Sequence, residues 1–243
     1  KVSHGRIAGK LASFFHLKAL KKFDKIVVMS NDMKNYFLSK NFDILKIELI
    51  NNFLDENKVN NKSKKKVKFP FNNELKTIVT VSFLIKRKNI ALLIKTAIEL
   101  FEEGKKFNVL IIGEGEEKKN LISLVDDSRY KENFIFLGHV NNPLPYIKKS
   151  DIFVMTSLAE GVSRALMEAL YLGKNCVVSN IDGNRELIDN TNGKMFNNQT
   201  ELKNILAKVL NLEEKGKNCL LPSDFRYKKN IEKYKNLFNE ILD

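Results

Sequence analysis

The 243-residue chain has no tryptophan and only two cysteines, four prolines and eleven glycines. Cys176 and Cys219 form no spaced pattern, which excludes a disulfide framework and a cysteine-based zinc site. They predict a reducing compartment, the cytoplasm. No apolar run reaches the roughly 20 residues that a membrane-spanning helix needs. With 43% hydrophobic and 29% charged residues, the composition is typical of a soluble α/β protein.

Acidic residues are also scarce, with 29 Asp and Glu against 42 Lys and Arg, so the formal net charge is +13. This charge favours anionic partners such as nucleotide diphosphates, phospholipid surfaces or nucleic acid. The densest basic stretch, residues 62–68, predicts a solvated and mobile connection. It lacks the interleaved aromatics of a single-strand binder, so contact with an anionic membrane is favoured over nucleic acid. A bias in codon usage explains the lysines equally well.

From residue 77 onward, apolar strand-like runs alternate with amphipathic helical runs. Runs rich in valine and isoleucine without polar alternation are typical of parallel strands buried on both faces. We therefore predict an α/β fold with a Rossmann-like parallel sheet and helices on both of its faces. The predicted strands are 77–81, 107–112, 134–137, 152–156 and 175–179, and the predicted helices are 90–102, 116–126, 143–149 and 164–172.

Four loops follow the predicted strands, at residues 82–89, 113–116, 138–141 and 157–163. In an open parallel sheet, ligands bind beyond the carboxyl ends of the strands. The four loops therefore predict one nucleotide site at this edge.

Two glutamates separated by seven residues, Glu160 and Glu168, bracket a predicted helix start at the N-cap Ser163. The backbone N–H groups of residues 161–163 would be unpaired at the positive end of the helix dipole, where phosphate binds. Carboxylates beside them suit the ribose and sugar hydroxyls of a nucleoside-diphosphate sugar. The alternative is a surface salt bridge between Glu168 and Arg164, with Glu160 a solvated loop residue.

Six short motifs lie in order along the chain and include the two glutamates. They are residues 81–89 (VSFLIKRKN), 111–115 (IIGEG), 136–140 (FLGHV), 157–161 (SLAEG), 168–174 (EALYLGK) and 181–188 (IDGNRELI). In this order they resemble the retaining glycosyltransferases of family four, which have the two-domain GT-B fold. The resemblance covers nearly the whole chain but begins partway into the family's pattern.

The resemblance implies a domain organisation. Residues 1–52 would be the remnant of an N-terminal acceptor-binding domain, and residues 53–72 a hinge with a lysine-rich linker. Residues 73–225 would form a complete C-terminal domain that binds the nucleotide sugar, and residues 226–243 a helix that crosses back toward the N-terminal domain. On this interpretation the chain is N-terminally truncated and, alone, has little or no transferase activity.

The resemblance also implies roles for individual residues. Lys88 would neutralise the leaving diphosphate and Glu160 would hold the donor sugar, as the candidate catalytic residues, while Glu168 would bind ribose. Alone, Lys88 would be interpreted as surface charge and His139 as a loop residue. The further donor-binding candidates are Gly161, Val162, Ser163, Ser82, Gly113, Gly115, His139 and Val140, and the weaker candidates are His4, Lys86, Arg87 and Arg164.

The chain departs from the family's pattern ahead of Lys88. Phe83 stands where the family has arginine, and Ser82 where it has glycine. The expected pair of phosphate-binding cations is therefore incomplete, and Lys86 or Arg87 are the candidates to replace the missing arginine.

The activity that the resemblance implies is hexosyl transfer from a nucleoside-diphosphate sugar to a glycan or lipid-linked acceptor, with retention of configuration. It would serve the biosynthesis of surface polysaccharide or glycolipid, at the inner face of the cell membrane. No cofactor and no metal are expected, because no ligand cluster is visible in the sequence. A sugar-nucleotide epimerase, a phosphorylase, a noncatalytic relative and a basic nucleic-acid-binding α/β protein stay open as alternatives.

Overall fold

The computed structural model describes residues 6–72, 74–188, 193–212 and 219–242, with side chains from residue 12 onward. The chain forms two compact units, Lys1–Asn51 and Asn52–Asp243. The candidate His4 lies outside the described residues. Within these four ranges, no helix is long and apolar enough to cross a membrane.

The first unit contains a strand-helix-strand motif. Its two strands pair in parallel, with Ile26 opposite Ile47 and Val28 opposite Leu49. A small core of Ile26, Val28, Phe42 and Ile47 holds the motif together. The elements are α1 (Arg6–Leu20), β1 (Ile26–Val28), α2 (Asn31–Leu38) and β2 (Ile47–Leu49).

The second unit is built on a six-stranded parallel sheet in the order β5-β4-β3-β6-β7-β8, which confirms the predicted fold class. Its strands are β3 (Thr77–Val81), β4 (Asn108–Ile112), β5 (Phe134–Gly138), β6 (Ile152–Met155), β7 (Asn175–Ser179) and β8 (Lys194–Phe196). Its helices are α3 (Glu56–Ser63), α4 (Ile90–Glu102), α5 (Lys118–Asp126), α6 (Leu144–Lys149), α7 (Arg164–Tyr171), α8 (Asp182–Ile188), α9 (Gln199–Leu210) and α10 (Tyr227–Leu242).

Both faces of this sheet are buried, because successive strand residues point to opposite faces. In β3, Ile78 belongs to a core shared with α4, α5 and α9. The next residue, Val79, belongs to a second core shared with α3, α6, α7 and α8. Both side chains are fully buried. This explains why the strand sequences are continuously apolar.

The centre of the sheet contains a topological switch point. β3 and β6 are neighbours, but the chain builds β4 and β5 on one side and β7 and β8 on the other. The loops that follow β3 and β6 therefore diverge to opposite sides and leave a crevice between them, where such sheets bind ligands.

The start of α5 differs from the prediction by two residues. The sequence predicts a helix over 116–126, whereas the helix begins at Lys118. The reason is that Glu114 O accepts a hydrogen bond from Leu84 N at 2.8 Å, and Glu117 N donates to Leu84 O at 2.9 Å. This backbone is paired with the loop after β3 and does not start the helix.

The predicted linker at residues 53–72 contains a helix, α3, that the sequence pattern does not predict. Asp55 caps its start by accepting a hydrogen bond from Lys58 N at 3.0 Å. Val59 is buried in the second core and anchors the helix. One apolar residue among asparagines and lysines gives no periodic signal, which is why the sequence favours a mobile connection.

The apolar side chains that recur at helical spacing along α10 are only partly buried. Leu237 is buried, and Ile231 and Tyr234 are half-buried. Phe238 and Leu242 are 58% and 82% exposed. Burial of these side chains therefore ends at Leu237.

The loop that carries Glu160 is held from behind by α8. A Cβ atom placed on Gly183 would lie 1.5 Å from Gly161 O and 2.9 Å from Glu160 O. Only a glycine permits this close approach of the α8 backbone to the loop. A Cβ atom on Gly161 itself would meet no atom within 4 Å.

We predict that Gly183→Ala lowers the melting temperature, although alanine is the better helix former. Overpacking of this kind costs about 1–3 kcal/mol. The matched control is Gly161→Ala, which adds the same methyl group to open space and should leave the melting temperature nearly unchanged. Thermal unfolding of both variants tests this; equal melting temperatures would contradict the described packing.

Candidate functional site

A cleft of about 380 Å³ opens at the switch point between β3 and β6. It is lined by residues from the loops after β3, β4, β5 and β6, so the predicted convergence of the four loops is found. Nine of the candidate residues line it: Ser82, Lys88, Gly113, His139, Val140, Glu160, Val162, Ser163 and Arg164. Val81, Phe83, Ile112, Glu114 and Ala165 complete the lining.

Five other candidates do not line the cleft. Gly161 and Gly115 lie in its loops, and a Cβ atom on Gly115 would lie 2.3 Å from Leu84 O. Lys86 is exposed in the turn that carries Lys88. Arg87 and Glu168 lie beside the lining residues and contact them directly.

The loop after β3 is fixed to the loop after β6 by hydrogen bonds. Thr156 Oγ1 donates to the carbonyl oxygens of Lys88 and Asn89, at 3.0 and 2.9 Å. Leu158 N donates to Arg87 O at 2.8 Å. A buried threonine at the end of β6 therefore sets the position of the lysine in the other loop.

Lys88 and Glu160 form an ion pair within the cleft, between Lys88 Nζ and Glu160 Oε1. The two side chains are only 13% and 9% exposed. The alternative that Glu160 is a solvated loop residue is therefore wrong. Because both charges have lost most of their contact with water, removing either side chain would leave the other charge poorly compensated.

Arg87 is a second cation next to this pair. Its Nη1 donates to Ala159 O at 2.6 Å and lies 3.5 Å from Glu160 Oε2. The side chain is about half exposed. Arg87 thus reaches the Glu160 carboxylate from outside the cleft, on the side away from Lys88.

Glu168 is buried on α7, and its Oε1 accepts a hydrogen bond from Arg164 Nε at 3.0 Å. The salt bridge expected in the alternative interpretation is therefore present. Arg164 is 71% exposed, so it compensates little for the burial of the carboxylate. Burial raises the pKa of Glu168, and the hydrogen bond from Arg164 lowers it by less. A buried carboxyl group with a raised pKa beside a cleft is typical of a functional residue.

The start of α7 faces the cleft with free donors. The Ser163 side chain accepts a hydrogen bond from Leu166 N at 3.4 Å, which confirms Ser163 as the N-cap. Among the described residues, the amides of residues 161–163 donate to no protein acceptor. Unpaired amides at a helix N-terminus bind anions.

Ser82 and Gly113 form the floor of the cleft. A Cβ atom on Gly113, which has φ +146°, would lie 1.8 Å from Ser82 O. This close backbone contact accounts for the glycine without a ligand. The buried Ser82 Oγ has no hydrogen-bond partner among the described residues.

The rim of the cleft carries Phe83 and His139. Phe83, at the position where the family pattern has arginine, is 73% exposed. His139 is exposed, and its Nε2 lies 3.2 Å from Asn141 Oδ1. These observations assign no chemical role to either side chain.

The contribution of α8 to the site is not predicted by the sequence pattern. Asn184 is fully buried and its Nδ2 donates to Ser179 O at 2.9 Å, which ties α8 to the end of β7. Together with Gly183, it places α8 behind the Glu160 loop. The sequence signal that could have indicated this role is the small residue Gly183 followed by the polar Asn184, shortly after the strand β7.

In the part of the chain that the structure describes, no group of three or more His, Cys, Asp or Glu side chains could hold a metal ion. The expectation that no metal is used stays a prediction.

The chain is similar in sequence to known glycosyltransferases. The family described as glycosyl transferases group 1 matches residues 61–236. An uncharacterized glycosyltransferase of Methanocaldococcus jannaschii is 30% identical over 270 residues, which cover 100% of this chain and 68% of that protein. The O-antigen biosynthesis glycosyltransferase WclY of Escherichia coli is 29% identical over 227 residues, which cover 90% of this chain and 62% of that protein.

Solved structures show the same fold. A glycosyltransferase from Rickettsia africae superposes with a TM-score of 0.81 at 18% identity, covering 93% of this chain and 67% of that one. The Anabaena protein HepE in complex with UDP superposes with a TM-score of 0.71 at 17% identity, covering 90% of this chain and 63% of that one. The chain spans about two thirds of the length of these proteins. Because the family pattern covers well over half of its residues, the chain belongs to the group 1 family of glycosyltransferases.

Proposed function

We propose that the cleft binds a nucleoside-diphosphate sugar, and that the protein transfers the sugar to a hydroxyl group of a glycan or lipid-linked acceptor with retention of configuration. The observation that carries this proposal is the buried pair of Lys88 and Glu160 beside the unpaired amides of residues 161–163. It combines a cation and a helix N-terminus for the diphosphate with a carboxylate for sugar hydroxyls. The UDP bound to HepE and the O-antigen role of WclY support the same assignment.

The diphosphate is recognised by three kinds of group. Lys88 supplies the positive charge, the amides of residues 161–163 donate hydrogen bonds, and Ser82, whose buried hydroxyl has no partner among the described residues, lines the same cleft. When the bond between sugar and phosphate breaks, its electron pair remains on the phosphate oxygen. Negative charge therefore grows where these donors are already oriented, and this lowers the barrier.

Glu160 acts in two ways in this proposal. In the structure it is the counter-ion of Lys88. The donor diphosphate takes over that lysine, and the carboxylate then accepts hydrogen bonds from the sugar hydroxyls. A free nucleoside diphosphate also breaks the Lys88–Glu160 ion pair but has no sugar hydroxyls to donate to Glu160. Glu160 therefore favours binding of the intact donor over binding of the nucleotide product.

Glu168 is proposed to accept hydrogen bonds from the ribose hydroxyls. It is buried behind the start of α7, and Arg164 leaves one of its carboxylate oxygens free among the described contacts. A ligand with two neighbouring hydroxyl groups suits such an acceptor, because carboxylates only accept hydrogen bonds in the ionised form.

The noncatalytic, epimerase and nucleic-acid alternatives are separated from this proposal by two measurements. Isothermal titration with UDP, GDP and ADP tests the nucleotide site, and transfer of labelled sugar to an added acceptor tests the reaction. A nucleic-acid binder would instead show a steep salt dependence with duplex or single strand and no response to nucleotide sugars.

We predict that Lys88→Met weakens UDP binding by roughly tenfold to a hundredfold, because a charge-assisted hydrogen bond contributes about 1.5–3 kcal/mol. The control is Lys86→Met, which removes an exposed cation from the same turn and should bind UDP nearly as the wild type does. If both variants bind like the wild type, the loop does not contact phosphate. A mild effect of Lys88→Met that becomes severe with Arg87→Met would show that Arg87 compensates.

Glu160→Gln should have the opposite sign for the free nucleotide. The amide keeps the shape of the carboxylate but releases Lys88 from its counter-ion, so we expect UDP to bind several-fold more tightly. Binding of the matching UDP-sugar should gain less, and sugar transfer should fall. Titration of UDP and the UDP-sugar against the same protein measures the difference. Equal weakening of both ligands would contradict the proposed exchange of partners.

Glu168→Gln tests the buried carboxylate through pH. The folded-state pKa of Glu168 lies above its unfolded value of 4.5. Its contribution to stability is therefore fully present below pH 4.5 and is lost as the pH rises through the folded pKa. Relative to wild type, the glutamine variant should gain stability as the pH rises from 4.5 toward neutrality, while its affinity for UDP falls. Urea unfolding across this range measures the first effect, with Glu102→Gln, an exposed residue at the end of α4 that does not line the cleft, as a control that shows neither.

A further inference from the structure

A second, larger cleft of about 620 Å³ lies in the same unit, between the end of α3 and the end of α6. Five lysines and no carboxylate line it. Lys148 and Lys149 are the last two residues of α6, and two residues separate them from β6. We call it the lysine cleft, and its lining residues are Ser63, Lys64, Lys65, Lys66, Val67, Pro145, Lys148 and Lys149.

The lysine cleft has a fixed frame. Asn142 Nδ2 donates to Lys62 O at 2.9 Å, which ties the end of α3 to the start of α6. Further along, Lys149 Nζ donates to Val67 O at 3.2 Å. The segment that the sequence predicts to be a mobile connection is thus attached to α6 at both ends. Its charges are held in one place.

The helix dipole does not account for these lysines. Cations near helix C-termini are often explained by the free carbonyl groups there. At the end of α6, however, Lys174 Nζ already donates to Lys148 O at 2.6 Å and to Ser150 O at 2.7 Å. The ammonium group of Lys148 is therefore not needed to satisfy the helix end.

Protein carboxylates do not neutralise the cluster either. Among the ion pairs of the described residues, none includes Lys64, Lys65, Lys66 or Lys148. Like charges held close together repel one another and lower stability. An anionic partner that bridges several of them removes this cost.

We propose that the lysine cleft binds headgroup phosphates of anionic phospholipids and so docks the protein on an anionic bilayer surface. Each lysine near such a surface adds an attraction that changes the partition coefficient about fivefold, and a cluster of this size is sufficient for reversible binding. Lysine suits this surface because its long apolar stem can lie along Val67 and Pro145 while the ammonium group reaches outward. The proposal does not depend on the proposed donor site.

The surroundings of the cleft favour phospholipid over nucleic acid. The nearest aromatic rings are already packed together: Phe69 stacks on Tyr146 with centroids 6.5 Å apart, and Phe71 meets its edge at 6.4 Å. Lys149 covers Phe69 at 5.9 Å. These rings are half-buried and already in contact with one another or with Lys149, which disfavours stacking on a base as in single-strand binding.

The geometry also disfavours a site for one small anion. Such a site needs buried donors that converge on a single point. Lys64, Lys65, Lys66 and Lys148 are instead exposed and spread around a cleft of about 620 Å³. Several phosphates presented side by side fit this arrangement.

The test compares two triple variants with equal net charge. Lys64→Gln/Lys66→Gln/Lys148→Gln removes charge from the lysine cleft, and Lys106→Gln/Lys119→Gln/Lys131→Gln removes it from other exposed positions. Binding to vesicles of phosphatidylglycerol and phosphatidylcholine in equal parts is measured by sedimentation, with pure phosphatidylcholine vesicles as the neutral arm. We expect the cleft variant to lose roughly a hundredfold in partition coefficient and the other variant to lose far less.

Further arms identify the occupant. Wild-type binding should weaken steeply with salt, because exposed charges are screened. It should be insensitive to inorganic pyrophosphate and to UDP. The proposal is overturned by an equal loss in both triple variants, by equal binding to neutral vesicles, by displacement with low pyrophosphate, or by tighter cleft-dependent binding of DNA. Loss of UDP binding in the Lys88 variant with vesicle binding intact would separate the two proposals.

Discussion

The nucleotide cleft depends on the bond between two loops that meet only because β3 and β6 are neighbours in the sheet. Thr156 at the end of β6 holds the carbonyl groups of Lys88 and Asn89, and the Lys88–Glu160 ion pair forms above this contact. Removing two charges from water costs several kcal/mol each, so the pair forms only where the backbone already holds its partners close. The hydrogen bonds between the two loops therefore fix the backbone, and the ion pair depends on that fixed backbone.

This dependence of side-chain contacts on tertiary structure explains which parts of the fold are predictable from the sequence. Continuous apolar runs such as residues 77–81 and 175–179 predict buried parallel strands, and both are found with these bounds. The motif order then places the four loops at one edge. The helix α3 escapes prediction because its only anchor is Val59, and the start of α5 is displaced because the backbone after Gly113 pairs with another loop. Such tertiary contacts have no local sequence signal.

The site is predictable as a set of residues but not as a set of contacts. Spacing along the chain indicates that Glu160 precedes a helix and that Glu168 lies within it. It does not show that Glu160 pairs with a lysine 72 positions away, or that Glu168 is the more buried of the two at residue level. Those facts depend on the packing of α8 against the loop through Gly183, a position whose importance only the backbone distance reveals.

The two clefts use positive charge in different ways, and burial is the reason. Lys88 is largely buried and has a single partner, so its charge is directed at one point and costs energy when that partner leaves. The lysines of the lysine cleft are exposed, hydrated and unpaired among the described ion pairs, so each contributes little alone and the cluster acts through its sum. The net charge of +13 therefore combines two kinds of positive charge. It divides into a directed charge that can select one ligand and a diffuse charge that can only select a kind of surface.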